Sequence, residues 1–347
     1  MFRKIAVYVL VIAMLICSSS CSINKTERYE TEFSLLFDTQ TRIVAYMNSE
    51  NEFRAFSDLI YDNLEQYHQL FDIYNLYDGI NNLKTINDNA GIAPVKVDKR
   101  IIDLINFGRQ WYKKTDGKMN IAYGAVLKIW HDYRSAGIKD PDSAKLPPLD
   151  MLKAASEHTD INKIIVDEEA STVFIEDPLM SIDAGAVGKG YAVEQVSIIA
   201  KNNGYTSGLI NAGGNIRAIG GKKGSEDKWN VGIKNPYKEQ NDYLEVLELN
   251  DMSMVTSGDY VRYYTVGGKN YNHIINPETL FPSEYFTAVT IIAWDSGIAD
   301  ALSTAVFNMP FEQGLDLVEK IDGVEALWAF KNGEKRYSSG MTVYKQK

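Results

Sequence analysis

Two hydrophobic periods divide this chain, and they limit its fold more than any other feature. Between residues 51 and 75, Phe53, Phe56, Leu59, Ile60, Leu64, Tyr67, Phe71 and Tyr74 recur at three- and four-residue spacings. That is the repeat of a helix with one face in a core. From residue 161 the pattern becomes short β-rich runs. The segments 162-NKIIVD-167 and 172-TVFIED-177 flank an acidic turn at Glu168–Glu169 and read as a hairpin. Further strands are expected near 207–219, 229–233, 243–249, 253–257 and 287–293, with helices starting near Ala299 and covering about 311–321. A second early helix is expected near 98–114, and 33-FSLLFDTQTRIVAYM-47 reads as a strand. The stretch 137-GIKDPDSAKLPPLD-150 reads as a long surface connection. Strand pairs mixed with long helices predict an α+β fold of mixed, mainly antiparallel sheets packed with long helices.

The N-terminus points to export. Arg3 and Lys4 precede the apolar run Ile5–Cys17, and 18-SSSC-21 follows. A basic start, a short apolar core and small residues before a cut site form a secretory signal, and the run is short for a membrane span. Small residues directly before Cys21 suggest a lipoprotein signal over 1–21, with Cys21 lipidated. A plain signal cleaved nearby is the alternative, since Ser18 stands where a leucine is usual. Residues 22–32 then read as a tether and 33–347 as one domain. Both cysteines, Cys17 and Cys21, lie in the signal, so the mature body has no disulfide, thiol nucleophile or cysteine-bound zinc. The net charge of −10 argues against nucleic acid as a partner. It also means that an anionic ligand needs a metal or local lysines.

Four polar clusters could carry chemistry. In 181-SIDAGAVGKGYAVEQ-195 a glycine-rich turn leads into a helix. A phosphate-binding P-loop fails twice here, with Asp183 in place of its first glycine and Gly190 in place of its hydroxyl. A helix N-terminus that can bind an anion survives, as does a tight turn with a solvated lysine. The run 207-SGLINAGGNIRAIG-220 either lets backbone pass close to a ligand or is a hairpin turn. The region 254–282 holds Thr256, Ser257, Asp259, Arg262 and His273. His68, His131 and His158 read as packing or surface residues. In 298-IADALSTAVF-307, Asp300 and Thr304 are four apart and share a helix face. They make either a hard-oxygen pair suited to Mg²⁺ or Ca²⁺, or an acidic first turn with a packed threonine.

In this order the motifs IDAGAVGKGYAVEQ, LINAGGNIRAIG, MVTSGDYVRYY, HIINP and ADALSTAVF resemble the ApbE flavin transferases, over nearly the whole chain from Phe33. The resemblance implies an ApbE-like fold and an FAD:protein FMN transferase. Such an enzyme binds FAD with Mg²⁺ at its pyrophosphate and moves FMN to a Ser or Thr hydroxyl of an exported flavoprotein, releasing AMP. The family's metal ligands fall on Ala186, Asp300 and Thr304. Lys189 would lie beside the phosphates or the adenosine ribose. His273 would be a general base or an orienting group, and Asp300 also counts as catalytic through the metal. Ile274 would line the flavin site and Phe37 would pack on the flavin, with Asp78 as a further flavin contact. Lys118, Met119 and Asn120 would contact the adenine side. Departures from the family pattern include Asn120 for Asp and Leu280 for Gly. Family habit further implies a lipoprotein anchored through Cys21 on the outer face of the bacterial cell membrane. Two alternatives use the same site: an Mg²⁺-dependent FAD pyrophosphatase giving FMN and AMP, and a non-catalytic FAD-binding lipoprotein.

Overall fold

The computed structural model describes residues 26–237 and 241–346. Its centre is one eight-stranded antiparallel sheet. The strands are β1 (Glu27–Leu36), β2 (Thr39–Met47), β3 (Gly208–Ala212), β4 (Asn215–Ile219), β5 (Ser253–Gly258), β6 (Ala288–Ala293), β7 (Glu325–Ala329) and β8 (Lys335–Tyr337). They lie side by side in chain order. The long excursions carry five main helices: α1 (Glu50–Phe71), α2 (Lys99–Lys114), α3 (Gly124–Lys139), α4 (Gly188–Asn202) and α5 (Ser296–Phe307). None of the described helices is long and apolar enough to cross a membrane. The expected α+β class is the observed one.

The inner strands of the sheet are buried on both faces, which explains their apolar runs. Along β2, Ile43 and Ala45 join a core under the helices, while Val44 joins a second core on the other face. In β6 every residue of AVTIIA is buried. Helices α1, α4 and α5 form the layer over the first face. The hairpin of Trp229–Lys234 with Tyr243–Leu249 contributes Trp229, Val231, Ile233, Leu247 and Leu249 to the second core. Each large aliphatic or aromatic side chain sunk this way contributes roughly 1.5–3 kcal/mol.

Local rules set the helix ends. Ser49 caps α1 by accepting the Glu52 N–H at 3.2 Å. The helix stops at Phe71, short of Tyr74, because the Asp72 carboxylate accepts the N–H groups of Tyr74 at 2.6 Å and Asn75 at 3.1 Å. That local turn competes with the helix. The segment 33–47 is a hairpin rather than one strand. Leu36 pairs with Thr39, and Phe37 and Asp38 between them have φ of 53° and 52°. Positive φ at both central residues is the primed turn that matches strand twist, made here without glycine. The expected tether over 22–32 is also corrected. β1 begins at Glu27, where Tyr29 stacks on Phe53 and Phe33 meets Tyr61 edge-on. Alternate charged residues on its exposed side hid the strand. The signal and Cys21 lie outside the described residues. The connection at 137–150 starts only after Lys139, where α3 ends, and a helix, Leu149–Ser156, already occupies its end. A hairpin of Tyr263–Val266 with Lys269–Asn272 and the strands β7 and β8 go beyond the sequence reading.

One buried ion pair ties sheet to helices. The Arg217 side chain from β4 is 3% exposed and donates from Nε to Glu194 Oε2 of α4 at 2.8 Å. The same oxygen accepts the Ser296 N–H at the start of α5 at 2.8 Å. Removing Glu194 leaves the buried Arg217 guanidinium with only the half-exposed Asp251 carboxylate at 3.4 Å and strips the Ser296 N–H of its acceptor. Glu194→Ala should therefore lower stability by about 3–5 kcal/mol in a denaturant titration. A loss under about 1 kcal/mol would mean that the pair behaves like a surface bridge.

Candidate active site

The sheet, α3, α4, α5 and the residues flanking the hairpin at 263–272 (Val261, Arg262 and His273) surround one cavity of about 380 Å³, a volume suited to a drug-sized ligand. The close approach of α4 and α5 builds its floor. A Cβ on Gly190 would lie 2.3 Å from the Ser296 carbonyl oxygen and 2.5 Å from Asp300 Cβ. Glycine is thus required for helix contact, and only indirectly for a ligand. The Gly190 N–H donates to Asp300 Oδ2 at 2.8 Å. One turn later on α5, the Thr304 hydroxyl donates to the Ala186 carbonyl at 3.5 Å. A buried carboxylate, a hydroxyl and a carbonyl therefore face one region, with Lys189 beside them.

Charge in this region is poorly compensated. Burial pushes the Asp300 carboxyl up, opposed by Lys189, the Gly190 N–H and the Asn215 amide. Yet Asn215 Nδ2 has no partner at hydrogen-bonding distance, so its pull on Asp300 acts over a longer range. Burial pushes Lys189 down, opposed by Asp300 and helped by Arg262. Among the described residues, Lys189, Arg134 and Arg262 form no salt bridge, although the chain carries a net −10. Three such cations and orphaned donors suit an anionic ligand. The oxygen set suits a hard divalent cation. The described residues contain no cluster of three His, Cys, Asp or Glu side chains.

His273 follows the hairpin, and its Nδ1 lies 3.2 Å from the Arg262 carbonyl. A carbonyl only accepts, so Nδ1 carries the proton and Nε2 keeps a free lone pair. Burial first, then Arg262 and Arg134, push its pKa down to about 4. The imidazole is therefore neutral at pH 7.

The structure gathers most of the expected site residues. Ala186, Lys189, His273, Ile274, Asp300, Thr304, Lys118 and Asn120 all line the cavity, as do Thr256, Ser257 and Arg262. Three are not brought to it. Phe37 instead meets the His68 ring edge-on at 5.4 Å, because the primed turn points its neighbours Asp38 and Thr39 inward. Met119 is fully buried in the main core. Asp78 is exposed in the short turn bridged by Tyr77 and Ile80. Several lining residues went unselected, among them Tyr74, His131, Arg134 and Asp183. Asp183 sits inside the glycine-rich motif and accepts the Gly185 N–H at 2.7 Å. Tyr123, Leu127, Trp130, His131 and Arg134 recur at helical spacing, a mixed apolar and cationic stripe that could have revealed the α3 wall. His158, by contrast, pairs with Asp177 at 2.8 Å. The glycine pair of the second motif is both a hairpin turn, at φ 57° and 97°, and a cavity wall. A Cβ on Gly213 would meet Thr39 Oγ1.

Residues 37–328 match the ApbE family. Among curated proteins the chain is similar to "FAD:protein FMN transferase" of Treponema pallidum (strain Nichols). The two are 33% identical over 273 residues, covering 75% of this chain and 73% of that protein. The protein of that name from Klebsiella pneumoniae (strain 342) is 30% identical over 255 residues, covering 73% and 76%. The crystal structure of an ApbE protein from Thermotoga maritima superposes with a TM-score of 0.80 at 28% identity, covering 92% of this chain and all of that one.

Two outcomes follow from this geometry. Gly190→Ala should separate α4 from α5 and cost about 1–3 kcal/mol, read as a lower melting temperature with weaker divalent-cation binding. Unchanged values would show that the helices are not in such tight contact. His273 should titrate near 4 in the ligand-free protein, against 6.5 ordinarily. Its folded value is depressed, so its contribution to stability is present above about 6.5 and lost as pH falls towards 4. An NMR titration compared with His273→Gln would show this, and a midpoint near 6.5 would refute the burial argument.

Proposed function

The chain belongs to the ApbE family, and on that premise we propose that it is an FAD:protein FMN transferase that moves FMN from FAD to a Ser or Thr hydroxyl of an exported flavoprotein. The observation that carries this reading is the convergence, in one cavity, of Asp300, Thr304 and the Ala186 carbonyl with three uncompensated cations and a neutral histidine.

The chemistry needs positioning and charge stabilisation more than a covalent group on the enzyme. The acceptor hydroxyl attacks the phosphorus of the FMN half. A new phosphoester bond forms there, the bond from that phosphorus to the bridging oxygen breaks, and AMP leaves with that oxygen. His273 Nε2 takes the hydroxyl proton, and the Arg262 carbonyl holds the ring through Nδ1–H. Lys189 and Arg262 offset the pyrophosphate charge, and the Asn215 amide offers an unused donor beside Asp300. The donor set of Asp300, Thr304 and Ala186 would hold Mg²⁺, all hard oxygens with a single carboxylate. When bound, Mg²⁺ would supply charge neutralisation for the pyrophosphate. Release from the plasma membrane is prevented, in this reading, by a lipid on Cys21, which places the enzyme outside the cell with its acceptor.

The test uses the chain lacking residues 1–21, incubated with FAD, Mg²⁺ and a domain bearing a Ser/Thr flavinylation motif. Mass spectrometry should show a gain of FMN minus water on that domain. The gain should need the metal and disappear in Asp300→Ala, with His273→Gln slower by about 10²–10⁴-fold. Free FMN and AMP without a gain would instead make the protein a pyrophosphatase, and bound unchanged FAD would make it a carrier.

A further inference from the structure

The glycine-rich turn is held at both ends. After it, Gly190 and Glu194 fix α4 against α5. Before it there is no regular element, because the chain between Ile175 and Gly188 lies in no strand or helix. Backbone polar groups in such a run still need partners, and one side chain supplies two of them. Asn87 Oδ1 accepts the Ile182 N–H at 2.7 Å, and Asn87 Nδ2 donates to the Ile182 carbonyl at 2.9 Å. An N–H only donates and a carbonyl only accepts, so the orientation of the amide is forced. The pair is what a neighbouring strand would give that residue. Two main-chain bonds complete the hold. The Gly124 N–H donates to the Ser181 carbonyl at 3.1 Å, and the Asp183 N–H to the Ile121 carbonyl at 2.8 Å.

Asn87 is itself anchored. It sits in the last turn of the short helix Leu83–Asp88, whose Leu83 and Ile86 are buried in the main core. Asn82 caps that helix by accepting the Thr85 N–H at 3.0 Å. Its Nδ2 donates to the carbonyls of Asn75 at 2.8 Å and of Gln69, in α1, at 3.1 Å. From Ile182 onward the bonding is continuous. Asp183 Oδ1 accepts the Gly185 N–H at 2.7 Å. The Ala184 carbonyl accepts the N–H groups of Val187 at 3.0 Å and Gly188 at 2.6 Å. A shift at Ile182 therefore reaches Asp183 and Ala186, both on the cavity wall.

We propose that Asn87 is a positioning residue for the transfer site: its amide sets where the glycine-rich turn presents the Ala186 carbonyl and the Asp183 carboxylate to the cavity. This role rests on the transferase reading of the site and deepens it. Asn87 is not on the cavity wall, so it acts only through Ile182. Removing an outer group that orients a metal ligand typically weakens metal binding by about 10–100-fold. Asn87→Leu keeps a similar volume and removes both bonds. Asn87→Asp keeps an acceptor for the Ile182 N–H but sets a carboxylate against the Ile182 carbonyl. Asn87 is half-buried, so both variants should fold.

Two measurements test this on the wild type, Asn87→Leu, Asn87→Asp and a control, Val231→Ala: amide hydrogen exchange of the metal-free protein, and titration with Mn²⁺ as a hard divalent probe. Val231 lies in the second core, on the other face of the sheet, so its truncation lowers the melting temperature without touching the turn. Both Asn87 variants should speed exchange at Ile182 and Asp183 by at least about tenfold and weaken Mn²⁺ binding by about tenfold. Val231→Ala should change Mn²⁺ affinity by less than about twofold, which separates positioning from general loss of stability. Exchange at Ile182 no faster than in the wild type, faster exchange with wild-type Mn²⁺ affinity, or an equal affinity loss in Val231→Ala would overturn the proposal. A wild type that binds no Mn²⁺ would overturn it together with the metal-site reading. If the Mn²⁺ losses appear as expected while FMN transfer is not detected, the transferase reading fails and the positioning role stands.

Discussion

The approach of α4 to α5 at Gly190 is the contact on which the site depends. A glycine there brings a main-chain N–H within 2.8 Å of Asp300 Oδ2. No larger residue could do so without moving the Ser296 carbonyl or the Asp300 side chain. This single contact sets the distance between the turn bearing Ala186 and Lys189 and the helix bearing Asp300 and Thr304. The glycines of the motif thus serve packing first and ligand chemistry second. Glu194 reinforces the same geometry, since one carboxylate oxygen holds both the Arg217 guanidinium and the Ser296 N–H. Helix, sheet and second helix are fixed together within about one turn of Lys189 and Asp300.

That rigidity permits an electrostatically costly cavity. Asp300 is held above the ordinary carboxylate range and Lys189 below the ordinary ammonium range, both chiefly by burial. The two oppose each other's shift without forming a bridge. Each shift measures how much a counter-charge brought by a ligand can stabilise the site. A pyrophosphate with its cation supplies both signs at once. A net-acidic enzyme can therefore bind an anionic substrate without a basic surface.

The parts of this design differed in how legible they were. Helical and alternating periods located α1, α2 and most strands, because both are set by which residues face a core. Spacing marked Asp300, Thr304 and His273 as candidates with bland alternatives, and only the resemblance carried by the five ordered motifs gave them site roles. Phe37 and Asp78 were misplaced for a different reason. Whether a residue in a turn faces inward depends on backbone sign, and the primed turn at Phe37–Asp38 uses positive φ in residues that do not advertise it. Met119 failed because a long apolar side chain next to a site fills the core more readily than it lines a polar cavity. The α3 wall was overlooked because His131 and Arg134 gain meaning only when the 263–272 hairpin and the glycine-rich turn close over them. That is a contact between segments far apart in sequence.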